Sequence, residues 1–211
     1  MKKKKRRIKV NFILSLVVIV LVFIMGYCIF DIVSSMMNKT PTTIEVLEVI
    51  EGYDYELNEN DSPYFEELFS ELKDVLESEE LDEEMYATII GQMFITDFYS
   101  LDYAVNKNDV GGTQFVYNGY QNDFISKAKA TVYNYVENNI YGDREQVLPK
   151  VKNVTLDTIV ETEYEFGEIA NDDSAYLATY TIEYEEDLDY PTEVTLVLIH
   201  NDNKLEVAKM N

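Results

Sequence analysis

"PKVKNVTLDTIVETEYEF", residues 149–166, is where the hydrophobic period of this chain changes. Before Pro149 apolar residues recur every three or four positions. After it, Val154, Leu156, Thr158, Val160, Tyr164 and Phe166 alternate with mostly acidic or polar residues. A period near 3.6 marks a helix with one buried face, and a period of 2 marks a strand with one buried face. The stretch therefore divides a helical half from a sheet half.

Downstream, Tyr176, Ala178, Tyr180, Ile182 and Tyr184 repeat the alternation, with "GEIANDDS" at 167–174 as the intervening turn. "TEVTLVLIH" at 192–200 is apolar on both faces and reads as an interior strand, and "NDN" turns it into "KLEVAKM", a last strand. The expectation is an antiparallel meander of four strands. Upstream, Ser62 and Pro63 form an N-cap and N1 pair ahead of Phe65, Leu68, Phe69, Leu72, Val75 and Leu76. A second helix starts near Asp82, with Glu83 and Glu84 where the helix dipole favours them. Its apolar side is Met85, Tyr86, Ile89, Ile90, Met93, Phe94, Phe98 and Leu101. Phe124, Ala128, Thr131, Val132, Tyr135 and Val136 mark a third helix, ending near "NNIYG" at 138–142. "TIEVLEVIEGYDYELNEN" at 43–60 reads as a short helix through Ile44, Leu47 and Ile50, followed by an extended piece. The layout is one α+β domain over residues 44–211, long enough for a single core. Tyr180, Ile182, Leu196 and Leu198 should face the helices that carry Phe69, Leu72, Ile90 and Phe94.

The chain opens differently, with basic residues at Lys2, Lys3, Lys4, Lys5, Arg6, Arg7 and Lys9 and an apolar run over residues 12–30. Those 19 residues would extend about 28 Å as a helix, close to the roughly 30 Å of a bilayer's hydrocarbon core. A cleaved signal peptide has a shorter apolar region and a small-residue cleavage site. "VSS" at 33–35 is a poor one, so the segment reads as a retained single-pass anchor. Cys28, the one cysteine, follows the bulky Tyr27 and reads as a small apolar residue of the span rather than a lipid attachment site. The basic flank places residues 1–11 in the cytoplasm as a stub and everything after the span outside the cell, with residues 31–43 as a stalk broken by Pro41.

Residues 32–211 hold ten basic and 39 acidic side chains, a formal charge of −29. Such a field repels nucleic acid. It suits basic proteins, divalent cations, or other copies of the chain joined at an apolar patch.

Candidate chemistry is sparse. "NDVGG" at 108–112 lacks the Lys and Ser/Thr of a phosphate loop and the spacing of a dinucleotide site. Read as a calcium loop, it sets Val110 where an oxygen ligand is required. It is better read as a turn with positive backbone angles at Gly111 and Gly112. His200, the single histidine, has no cysteine beyond the span to share a metal with and reads as a strand-end polar residue. The acidic runs at 77–84 and 183–189 read as solvated faces. The N-x-S/T sequons at Asn38, Asn60 and Asn153 carry no weight in so Asn-rich a chain. No catalytic, cofactor-binding or metal-binding residue is assigned.

The order of basic stub, single span, helices and then sheet resembles the single-pass assembly factors of type IV secretion and Gram-positive conjugation. Their exterior domain has the nuclear-transport-factor-like, or cystatin-like, cone fold, so the resemblance implies that the four-stranded sheet is curved and cone-like. "MFITDFYSLDYAVNKNDVGGTQFV" at 93–116 is also similar to uncharacterised membrane proteins of Gram-positive bacteria. Neither resemblance brings a catalytic motif. The function implied is a non-enzymatic binding or assembly module outside the membrane, with an envelope or secretion protein as partner and self-association as a second route. A cell-envelope hydrolase working through two carboxylates is one alternative. A sensor ectodomain is the other, and a stub of eleven residues leaves it no output domain.

Overall fold

The computed structural model of the chain describes residues 18, 20, 24–27, 45–166 and 170–211. The chain divides into two compact units, Met1–Pro41 and Thr42–Asn211. In the first, the described residues 18, 20 and 24–27 are helical and exposed. Among the described residues no helix is long and apolar enough to cross a membrane. The stub at 1–11, the stalk at 31–43, Cys28 and most of the span at 12–30 lie outside the described residues.

The second unit is α+β, with two helices where the sequence sets them. In α1, Pro63–Leu76, Ser62 Oγ accepts a hydrogen bond from the Phe65 N–H at 3.1 Å, and Pro63 occupies the first turn. Phe65, Leu68, Phe69 and Leu72 form its buried face. In α2, Glu83–Tyr99, the Asp82 carboxylate accepts from the Met85 N–H at 3.0 Å. This helix is buried around most of its circumference, Ile95 and Ala87 included, whereas Met85, expected inside, is exposed. A helix apolar on all sides is a central one.

Strands β3 (Val151–Phe166), β4 (Ala170–Tyr184), β5 (Glu193–Asn201) and β6 (Lys204–Met210) form an antiparallel sheet in the order β3-β4-β5-β6. A separate two-stranded hairpin, β1 (Val46–Ile50) and β2 (Tyr55–Asn58), precedes them in the chain. Tyr180, Ile182, Leu196 and Leu198 share one buried cluster with Phe69, Leu72, Ile90 and Phe94, the pairing of faces that the period implies. The helix reaches the sheet closely because position 91 is glycine, where a Cβ would collide with the hydroxyl end of Tyr180. The Tyr180 hydroxyl lies 3.4 Å from the Ala87 carbonyl and 3.3 Å from that of Thr88.

Five expectations are corrected. Residues 46–58 form an antiparallel hairpin, β1 (Val46–Ile50) and β2 (Tyr55–Asn58), not a helix and an extended piece. Val46, Val49 and Ile50 are β-branched, and positive φ at Gly52 and Asp54 turns the chain between the strands. Ile44 lies outside the described residues. The third helix, α3, spans Gln121–Ala130 and stops before Thr131, Val132 and Asn134, all weak helix formers. Tyr133 is the core residue there, while Tyr135 is 80% exposed. Only Gly112 has positive φ in the glycine pair; Gly111 is needed because a Cβ would collide with the Asp97 carbonyl. The turn expected over 167–174 gives residues 170–174 to β4, and residues 167–169 lie outside the described ones.

The fifth correction is in β3. Its pairing with β4 shifts between Leu156 and Thr158, where β3 spends one residue more than its partner. Such a bulge turns all later side chains to the other face. Ile159 packs on the main core, while Val160, expected inside, is 53% exposed. Tyr164 joins a second cluster with Ala175, Val197 and Ile199 on the face away from the helices. It also lines a depression with Tyr120 and with Ala208 of β6.

Candidate functional site

His200 is the natural place to look for chemistry. Its Nδ1 lies 2.9 Å from Asp172 Oδ2, and its backbone N–H donates to the same oxygen at 2.7 Å. Burial pushes the Asp172 carboxyl up, but the N–H groups of His200 and Ser174 and the imidazole outweigh it and hold the carboxyl below its ordinary range. The other ring nitrogen, Nε2, stands 3.9 Å from a Glu83 carboxylate oxygen, so it faces an acceptor and not a hydroxyl or thiol that it could activate. The imidazole thus ties β5 to β4, beside the start of α2. Asp172 lies 28 residues before His200, in the segment read as a turn, so sequence spacing does not signal the pair.

A second polar cluster surrounds a cavity of about 40 Å³, lined by Asp61, Asp97 and Asp109 with Ser62, Ser100 and Tyr133. Each carboxylate accepts one backbone N–H: Asp61 from Asn58 at 2.6 Å, Asp97 from Gly112 at 2.7 Å and Asp109 from Val105 at 2.8 Å. Burial, reinforced by the neighbouring carboxylates, raises Asp97 to about 7 and Asp61 to about 6. Tyr133 closes the same corner, its hydroxyl donating to the Phe98 carbonyl at 2.8 Å and accepting from the Gly111 N–H at 3.0 Å. That space has room for a few waters and not for a substrate. Among the described residues no group of three or more His, Cys, Asp or Glu is arranged to hold a metal ion. The "NDVGG" turn is thus positioned by Asp97 and Tyr133, which its motif does not contain. The acidic run at 77–84 supplies the cap of α2, and Glu183 of the other run pairs with Lys152 at 2.6 Å.

The two edges of the sheet are built differently. At β6, the Tyr55 hydroxyl donates to the Leu205 carbonyl at 3.0 Å, and the Leu205 N–H donates to the Tyr86 hydroxyl at 3.0 Å. The two hydroxyls are 2.7 Å apart, so Tyr86 donates to Tyr55 and every proton has a place. Burial pushes Tyr86 up to about 12. Two residues on, the Tyr117 N–H donates to the Val207 carbonyl at 3.0 Å, and Val116 bridges Val207 in parallel. That edge is sealed.

At β3 only the start is covered. Val154 gives its N–H to the Tyr64 hydroxyl at 3.1 Å, and its carbonyl accepts from Tyr64 at 3.2 Å and from Gln92 at 2.8 Å. The Ile182 N–H points to β5, reaching the Thr192 carbonyl, so β4 residues of that parity turn their backbone away from β3. Their β3 partners, Val154, Leu156, Ile159 and Glu161, therefore turn their own backbone groups outward. Among the described residues, the backbone of 155–165 is hydrogen-bonded by β4 and, at the Glu163 carbonyl, by the Thr162 hydroxyl of β3 itself at 3.5 Å; most of its positions are exposed. Asp157, Glu161, Glu163 and Glu165 line this stretch, and no lysine or arginine occurs between Lys152 and Lys204.

The candidate site is thus a strand edge, open, acidic and more than ten residues long, on an α+β domain. Compared with known proteins, the chain matches no family model, no curated protein and no solved structure.

Proposed function

We propose that the chain is a non-enzymatic binding or assembly module, anchored by residues 12–30 in a bacterial cell membrane and exposed outside it from residue 32 onward. The observation that carries the reading is the open edge of β3 on a sheet whose opposite edge is sealed. An exposed row of unpaired backbone groups is a liability in a free domain and a docking surface in one that has a partner. Support for the anchor is the basic flank, the 19-residue apolar run and the exposed Val18, Val20, Ile24 and Met25 on helical residues within it. The charge of residues 32–211 favours a protein over nucleic acid. The partner in this reading is an envelope or secretion-type protein, in the setting of a transport or conjugation machine that the single-pass assembly factors suggest. The return of Tyr164 across the outer face supports a curved, cone-like sheet of the kind those factors carry.

Protease added to intact cells tests the topology. It should degrade residues 32–211 and leave the span in the membrane; a soluble mature form in the medium, starting near Ser35, would overturn it. Crosslinking in the same cells tests the role and should join the exterior domain to a protein. Cleavage of a wall glycan or peptide by the purified chain, with no protein captured, would replace this reading with the hydrolase.

A further inference from the structure

We infer that the open edge of β3 receives an extended segment of a protein partner, bearing lysine or arginine at alternate positions, as a fifth strand of the sheet. This rests on the reading of the chain as a binding module and states what it binds. The backbone of an added strand would pair with the outward groups of Leu156, Ile159 and Glu161. The irregularity between Thr162 and Tyr164 lies on the β4 side, where the extra residue is, so β3 keeps its alternation from Thr158 onward. Glu161, Glu163 and Glu165 therefore share one face, and Val160, Thr162 and Tyr164 the other.

The acidic face continues beyond the strand. Glu83 and Glu84 at the start of α2 raise the Tyr176 hydroxyl together with Glu161, after burial, which sets all three carboxylates around one ring. A partner strand with basic residues at every second position would oppose this row, since opposite charges on facing strands stabilise a pair. Its intervening residues would lie beside Val160 and Thr162 and are expected to be β-branched. A second copy of β3 is a poor occupant. Antiparallel self-pairing centred on Glu161 sets that residue against itself and Asp157 against Glu165, and a shift of one residue pair sets Glu161 against Glu163. Nucleic acid is repelled by the same row.

The test uses the full chain in zwitterionic detergent micelles and a labelled peptide alternating lysine and valine, read by fluorescence anisotropy. Its control carries N-methyl groups on the backbone nitrogens of the central lysine and the valine after it, which keeps the charge and removes strand donors in either strand direction. The N-methylated peptide should bind roughly tenfold more weakly. Ile159→Pro, which removes an outward N–H and spares the ladder to β4, should weaken the alternating peptide by a similar factor, and so should the triple change E161Q/E163Q/E165Q. E77Q/E79Q/E80Q, on the loop after α1, should change it less than about twofold. Equal binding of the two peptides, together with equal losses from the edge and loop triples, would overturn strand addition and leave only diffuse charge attraction. The peptide comparison and the triples decide the matter should Ile159→Pro unfold the chain. A protein captured in cells through another surface, alongside equal binding of the two peptides, would overturn this inference and leave the binding-module reading standing. Loss of the exterior topology would do the reverse.

Discussion

The two outer strands of the sheet face the same physical problem and meet it in opposite ways. β6 gives its outward N–H and carbonyl at Leu205 to two buried tyrosines and its Val207 carbonyl to Tyr117. β3 is covered only at its start, where Val151 gives its N–H to Ser100 Oγ and Val154 pairs with Tyr64, and it leaves most of its outward groups from Leu156 on to solvent beneath a row of carboxylates. Charge on an edge discourages pairing with an identical edge. It does not discourage pairing with a strand of opposite charge. The difference assigns β6 to holding the fold together and leaves β3 as the edge on which the proposed binding role rests.

Substitutions should separate these roles. The largest effect is expected from Tyr55→Ala, which empties a fully buried ring position and strips the Leu205 carbonyl; unfolding in denaturant should show a loss of about 3 to 5 kcal/mol. Tyr86→Phe keeps the ring and removes one hydroxyl, leaving the buried Leu205 N–H without an acceptor, and should cost about 1 to 3 kcal/mol. A loss near zero for both would mean that the β6 edge is not sealed by these groups.

The cavity below β2 makes a pH prediction. Asp97 and Asp61 hold their protons in the fold up to about 7 and about 6, while in the unfolded chain they ionise near their ordinary value of 3.8. Between those limits the folded state binds more protons, so stability falls as pH rises from about 4 through about 7. Asp172 works the other way, and its contribution is lost only as pH falls below the ordinary carboxylate range. The melting temperature should therefore be higher at pH 5 than at pH 8. General repulsion among surface carboxylates acts in the same direction, so the decisive comparison is Asp97→Asn, which should flatten most of the difference. An undiminished difference in that variant would assign the effect to the surface. The smallest effects belong to the open edge: Val160→Thr or Glu163→Gln should stay within about 0.5 kcal/mol of the parent chain.

The sequence revealed those features whose cause is local. Ser62-Pro63 and Asp82 cap helices through atoms three residues away, and the alternation of Tyr176 to Ile182 follows from a pleat that each residue shares with its neighbours. Features set by distant contacts were hidden. The hairpin at 46–58 exists because Tyr55 reaches Leu205, 150 residues on, while Leu47 and Ile50 imitate a helical face. The third helix ends where Tyr133 supplies a donor to Phe98 of α2. The bulge after Leu156 has no residue signature, yet it alone decides that Val160 faces solvent and Tyr164 the second cluster. For the site, the missing lysines and arginines between 152 and 204 were in plain view, but which strand they left acidic and open depends on the order β3-β4-β5-β6.

Amide hydrogen exchange on the full chain in micelles, with and without the lysine-valine peptide, tests the contrast between the edges most directly. The Leu205 amide should be strongly protected in both conditions, because it donates to a buried hydroxyl. The amides of Leu156, Ile159 and Glu161 should exchange fast in the free chain and slow when the peptide is added, with no change at α1. Protection of those three amides before any peptide is present, or its absence after binding, would contradict the account.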